Sequence, residues 1–317
     1  MKKKTISLYF GFIIFVYSCS SPKPVLNEKP KRNISFWGDS MTAGAGGNGI
    51  TMPDVVKNEL KREIFNGGVG GISSTSIACL QGGLDFIIKL KANKIQNKGA
   101  DTITHYNIVP YIHTTNQTRF GSINGIKGTL TRVGNLANPI VSDYFYFTRA
   151  TVGEEIIVPP EGVKMYFDDA VNHRNDLAVI WSGRNDPKQD SHIPTTIANI
   201  KSMINYLGKR NKQQYLVISV CNGSRQTEGI GSDIYSNINS LNNELQSNFG
   251  DNYIDLRKYM IERAIYDAKI SPTIEDLKDI ASDCIPKSLL YDNVHFNEIG
   301  YRMAGGYISK IIRNKDW

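Results

Sequence analysis

Two periodicities take turns along this chain. Short apolar runs, each closed by glycine or a polar turn, alternate with stretches whose apolar residues recur every three or four positions. Residues 33–37 (NISFW) stop at Gly38 and read as a buried parallel strand. Residues 53–63 follow, with Val55, Val56 and Leu60 at helical spacing behind a leading proline. The alternation continues with a strand at 64–66, a turn at 67–71 (GGVGG) and a helix at 74–81. A strand at 177–181 (LAVIW), a helix at 194–207, a strand at 215–220 (YLVISV), a helix at 234–249, a short strand at 253–255 and an amphipathic helix at 297–313 complete it. Strands alternating with helices predict an α/β fold, a parallel sheet with helices on both faces.

Residues 100–163 break that rhythm. They are rich in Thr, Tyr, Ile and Val with Gly, Asn and Pro between, and 126–133, 144–151 and 156–158 read as strands. A loop of that length without structure of its own would be out of place in a compact domain. The segment is therefore expected to be a small β module inserted between the second and third sheet strands. Within it, Tyr144-Phe145-Tyr146-Phe147 puts aromatics on both faces of a strand; core packing of the insert is the favoured reading over a sugar-stacking platform.

Composition changes the picture mainly at the N-terminus. Residues 1–32 hold seven Lys/Arg against one Glu, which is +6 of a formal total of +7, so residues 33–317 are close to neutral. The basic balance belongs to the leader and gives little support to a nucleic-acid partner. Lys2, Lys3 and Lys4 precede an apolar stretch of twelve residues, 6–17, too short to span a bilayer comfortably. It runs into Val16-Tyr17-Ser18-Cys19, which resembles a bacterial lipobox. The expectation is a signal peptide over 1–18, a lipid-modified Cys19, a tether over 19–32 rich in Pro, Lys and Ser, and a protein held to a membrane of the bacterial cell envelope after export. An ordinary secretory signal or an uncleaved anchor is the alternative. No later run is long enough to cross a membrane. Residues 33–317 then form one large domain carrying the insertion. They contain Cys79, Cys221 and Cys284, an odd number, so at most one disulfide can form and its pairing stays open; none of the three has metal-ligand spacing.

Three distant islands carry candidate chemistry: Gly38-Asp39-Ser40, Gly183-Arg184-Asn185-Asp186 and Asp292-Asn293-Val294-His295. Each read singly is turn chemistry. A strand ending in Gly-Asp-Ser places Ser40 beyond the sheet's carboxyl edge, where open α/β folds hold ligands. A serine hydroxyl needs a base within hydrogen-bond reach. Asp292 and His295, three residues apart, can meet in one turn, so that the carboxylate orients the imidazole. Attack on an ester creates an oxyanion, for which the uncharged Asn185 amide is a suitable fixed donor. Gly183 allows its loop to turn tightly, and Gly71 can offer a backbone N–H at close approach. Asp39 reads as a brace of the nucleophile's turn.

Taken together and in this order, the islands resemble those of the SGNH (GDSL-type) hydrolase superfamily. Ser40 lies in GDSM, Gly71 in GGVGG, Asn185 in GRND and His295 in DNVH, and Asp292 matches the family's triad acid. Met41 stands where the family usually has Leu, a conservative change. The motifs reach both ends of residues 33–317, and the insertion is not part of the family's common core. The resemblance implies a three-layer α/β/α flavodoxin-like fold and an acyl-enzyme mechanism without a cofactor. In it Ser40 is the nucleophile, His295 the base, Asp292 its orienting acid, and Ser40 N–H, Gly71 N–H and Asn185 the oxyanion donors. FWGDSMTAGAGGNG and WSGRNDP are also similar to bacterial and phage-associated esterases with insertions. The remaining histidines, His105, His113, His173 and His192, are scattered and read as surface or hydrogen-bonded residues.

The leading functional expectation is an envelope-anchored esterase that removes acetyl groups from a polysaccharide. A lipase, lysophospholipase or thioesterase is the alternative among enzymes, though no amphipathic interfacial helix favours long acyl chains. Acyl transfer to a sugar needs only an alcohol in place of water. From another class, a catalytically inert glycan-binding surface lipoprotein would keep the fold and lose the need for the triad.

Overall fold

The computed structural model describes residues 31–109, 118–133, 144–186, 192–209 and 214–317. The expectations for the signal peptide, Cys19 and most of the tether lie outside the described residues.

The strands are β1 (Ile34–Gly38), β2 (Ile64–Gly68), β3 (Phe86–Leu90), β4 (Lys94–Ile95), β5 (Ala100–Tyr106), β6 (Thr118–Ile123), β7 (Ile126–Val133), β8 (Tyr144–Arg149), β9 (Ile156–Ile157), β10 (Val163–Phe167), β11 (Leu177–Trp181), β12 (Tyr215–Ile218) and β13 (Tyr253–Ile254). Five of them make a parallel sheet in the order β13-β12-β11-β1-β2. Counted along the sheet's own strands this is the flavodoxin-like order, with the switch point between β1 and β11.

The apolar runs of the central strands have a simple cause. Every residue of β1 and β11 is buried, and alternate side chains enter two different cores. Ile34, Phe36, Leu177, Val179, Trp181, Leu216 and Ile218 pack with residues of helices Met52–Leu60, Leu256–Glu262 and Glu298–Asn314. Trp37, Ala178, Ile180 and Val217 pack on the other face with helices Ser74–Gln81, Ile193–Tyr206 and Asp233–Phe249. A strand apolar on both faces is what a sheet between two helical layers requires. The predicted α/β/α layering is therefore observed.

The β-rich segment is a closed barrel, ordered β10-β3-β5-β8-β7-β6, and it extends beyond the predicted limits of 100–163. Its first strand starts at Phe86 and its last ends at Phe167. Closure explains the difference: β10 pairs with both β3 and β6, so these outer strands remove the edges that a shorter module would leave open. Phe86, Ile88, Ile123, Leu130, Phe145, Phe147, Met165 and Phe167 are buried. Their alternate neighbours Tyr144 and Tyr166 are exposed, which bears out core packing for the two phenylalanines of the Tyr-Phe-Tyr-Phe run. The predicted strand at 156–158 is not in the barrel; Ile156–Ile157 pairs with Lys94–Ile95 in a separate ribbon. The barrel leaves the main fold after helix Ser74–Gln81 and returns through helix Asp168–Asn172 into β11. Among the described residues no helix is long and apolar enough to cross a membrane.

Candidate active site

The switch point between β1 and β11 fixes where the site forms, because the loops leaving these two strands diverge and open a crevice at their carboxyl ends. At the end of β1 the chain turns hard against β11. A Cβ on Gly38 would run into Thr42 Oγ1 and the Trp181 carbonyl, so glycine is required there. Asp39 caps the short helix Ser40–Ala43, its Oδ1 accepting the Met41 N–H at 2.9 Å. This is the bracing role expected of it. Ser40 opens that helix, so its N–H has no carbonyl partner within the helix.

The turn 292–296 is held from several sides. Asp292 Oδ1 accepts the N–H groups of Val294 and His295, each at 2.7 Å. Tyr291 N–H donates to the His295 carbonyl at 2.8 Å. Phe296, fully buried, packs tilted against Trp181 and edge-on against Tyr301, and the Tyr301 hydroxyl donates to the Ala45 carbonyl at 2.8 Å. The imidazole of His295 is thereby aimed at the Ser40 hydroxyl. His295 Nε2 lies 2.9 Å from Ser40 Oγ, and His295 Nδ1 lies 2.8 Å from Asp292 Oδ2. Residues 255 positions apart in sequence meet within hydrogen-bond distance.

The third and fourth parts come from neighbouring loops. Gly71 and Gly183 both adopt positive φ, +73° and +113°, a conformation that glycine reaches without strain. Gly70 lies close to Ser40: a Cβ there would sit 4.0 Å from Ser40 Cβ. Asn185 Nδ2 donates to the Ile72 carbonyl at 3.2 Å, directly after Gly71. An amide nitrogen carries two hydrogens, so one such bond positions Asn185 and leaves the second hydrogen to donate. Sequence reasoning gave Asp186 no role. Its carboxylate accepts the Ser74 N–H at 2.6 Å and the Thr196 hydroxyl, tying the Asn185 loop to the Gly71 loop. No sequence signal could show this, since Ser74 is 112 positions away.

Electrostatics separate the two carboxylates. Burial raises Asp39 to about 6, against the Met41 N–H bond and the charges of Arg184 and His295, which lower it. Asp292 is partly exposed. Desolvation raises its pKa, but the bonds from the His295 ring and from the backbone N–H groups of His295 and Val294 prevail, and the net shift is downward. Asp292 is thereby held in its ionised form beside the imidazole.

No known family model matches the chain. It is 25% identical over 302 residues to the tail spike protein of Salmonella phage epsilon15, covering 86% of this chain and 26% of that protein. The chain thus spans about a quarter of the length of this curated relative. Among solved structures it is similar to a G-D-S-L family protein from Desulfitobacterium hafniense (12% identity, 89% of this chain and 99% of the other, TM-score 0.46). It is also similar to the acetyl xylan esterase AlAXEase (17% identity, 89% and 98%, TM-score 0.43) and to a peptidoglycan O-acetylesterase (12% identity, 90% and 91%, TM-score 0.39). Within the chain itself, Ser40, His295 and Asp292 form one hydrogen-bonded series.

The other histidines have separate surroundings. His173 stacks on Phe65 with centroids 4.0 Å apart and bonds Asp176 at 2.7 Å. His105 is exposed on β5, and His192 precedes helix Ile193–Tyr206. His113 lies outside the described residues. Cys79, Cys221 and Cys284 are all free and buried, and burial pushes each thiol up to about 12. The disulfide that the sequence left open is not formed. Among the described residues no group of three or more His, Cys, Asp or Glu could hold a metal ion.

If Asn185 donates to an oxyanion, Asn185→Ala should lower kcat for p-nitrophenyl acetate by about 10²-fold. The lost bond to Ile72 should cost about 1 kcal/mol of stability. Steady-state kinetics beside a thermal melt would check this, and an unchanged kcat would remove Asn185 from the oxyanion site.

Proposed function

We propose that this chain is an SGNH-type serine esterase that hydrolyses carboxylic esters through an acyl-enzyme on Ser40. The observation that carries the reading is the bond of His295 Nε2 to Ser40 Oγ at 2.9 Å, with His295 Nδ1 held by Asp292 at 2.8 Å. In this reading His295 takes the Ser40 proton as Oγ attacks the acyl carbon. The developing oxyanion is met by the N–H groups of Ser40 and Gly71 and by the Asn185 amide. His295 then protonates the leaving alcohol, and the imidazole activates water to release the acid.

The substrate we assign is an O-acetylated polysaccharide, and the workplace is the bacterial cell envelope, with the lipobox at Cys19 as its anchor. Supporting this is the exported character of residues 1–19 in sequence. Tyr291, 67% exposed immediately before Asp292, is an aromatic ring on the rim of the triad on which a sugar can stack. The test compares p-nitrophenyl acetate with the octanoate, then measures acetate release from a panel of acetylated glycans, peptidoglycan included. We expect turnover of the acetyl ester to exceed that of the octanoyl ester at least ~10-fold, since one methylene is worth 1–3 kcal/mol in a fitted pocket. Preference for octanoyl would favour a lipase or thioesterase instead.

A further inference from the structure

The loop residue between Gly183 and Asn185 is an arginine, and its guanidinium does not point to solvent. Arg184 Nη2 donates to Glu228 Oε1 at 2.6 Å, with the two side chains 9% and 3% exposed. A carboxylate this deeply buried needs its lone pairs met. Glu228 meets them twice: its other oxygen, Oε2, accepts the Gly223 N–H at 2.7 Å.

Gly223 is where this matters. A Cβ there would overlap the Asn293 carbonyl oxygen, so the backbone at 223 lies flat against the turn bearing the imidazole. The next residue completes the contact, Ser224 N–H donating to Asn293 O at 2.9 Å. Asn293 sits between Asp292 and His295. The loop after β12 is itself anchored, since Asn222 Nδ2 donates to the Glu228 carbonyl at 3.2 Å and to the Asp283 carbonyl at 3.0 Å. One carboxylate therefore joins two loops that come from different strands. Through Arg184 it holds the backbone next to Asn185. Through Gly223 and Ser224 it holds the turn that carries His295.

We propose that the buried Arg184–Glu228 pair is a positioning device that sets Asn185 and His295 at a fixed separation across the reacting carbon. Neither residue touches substrate. The device rests on the esterase reading above, in which Asn185 and His295 act on one carbonyl. A planar guanidinium and a two-oxygen carboxylate suit this task, because the fork fixes direction as well as distance. A shift of about 1 Å between catalytic groups can cost 10²-fold in rate.

The test uses the full chain and three variants: Glu228→Gln, Arg184→Lys and Arg184→Met with Glu228→Gln. Gln keeps an oxygen for Gly223 N–H and loses the ion pair. Lys keeps the charge and loses the fork. Each protein is titrated with a fluorophosphonate probe to count competent Ser40, and kcat and KM for p-nitrophenyl acetate are expressed per labelled site. We expect Glu228→Gln to lower kcat per site about 10- to 100-fold with KM within about twofold. Arg184→Lys should fall between wild type and Glu228→Gln, and the double variant should be no worse than the poorer single, as coupled residues behave. A pair that served stability alone would lower the melting temperature and the labelled fraction and leave kcat per site at the wild-type value; that result would overturn the device. If Glu228→Gln does not fold, Arg184→Lys carries the same comparison. Failure of the wild type to label at Ser40 would instead defeat the esterase reading beneath it.

Discussion

Asp292→Asn is expected to lower kcat for p-nitrophenyl acetate by about 10³- to 10⁴-fold with little change in melting temperature. The side chain has two separate tasks, and asparagine can do one of them. Asp292 Oδ1 accepts the Val294 and His295 N–H groups at 2.7 Å, and an amide oxygen can do the same, so the turn should persist. That choice puts the amide nitrogen where Oδ2 now lies, 2.8 Å from His295 Nδ1. Two N–H donors cannot face each other. The ring must then carry its proton on Nε2, which faces Ser40 and can no longer accept the serine proton. Asp292→Ala should be milder than Asp292→Asn: the carboxylate is 46% exposed, and water can take its place at Nδ1. A rate for Asp292→Asn near wild type would show that something else orients the imidazole.

Ser40→Ala should be more severe, with kcat reduced on the order of 10⁶-fold. The fold should survive, because helix Ser40–Ala43 is capped by Asp39 and the Ser40 hydroxyl bonds His295 at the surface of the crevice. The fluorophosphonate probe should label the wild type at this residue and leave the variant untouched. The comparison also separates an enzyme from a binding protein of the same fold. Equal turnover by wild type and variant would leave glycan binding as the better account of the site.

The parts of this fold written in one stretch of sequence were legible. LAVIW is apolar at every position, and Ile34, Phe36 and Trp37 lead β1, because β11 and β1 are covered on both faces, and the GDS, GRND and DNVH islands mark the loops at their ends and before the last helix. What escaped prediction depends on partners remote in sequence. The barrel's true limits follow from Met165 pairing with both Phe86 and Ile123, which no local pattern reveals. Some local signals were present and passed over. Asn124-Gly125 between Ile123 and Ile126 is a hairpin turn with both residues at positive φ, the type favoured by the strands' twist. Thr273 and Asp276 form a capping box that starts helix Ile274–Ala281, in a stretch where no helix was anticipated. Glu228 was invisible for a third reason. A lone acidic residue in a polar loop reads as solvated, and only folding shows it buried between two loops.

Arg62 gathers the carbonyls of Arg32 and Trp317, the latter at 2.9 Å, just ahead of β2. Both ends of the described chain thus meet at the amino edge of the sheet, and Ser40 stands at the carboxyl edge, about 16 Å away along a five-residue strand. The edge that gathers Arg32, Arg62 and Trp317 is therefore the one turned away from the imidazole and the serine.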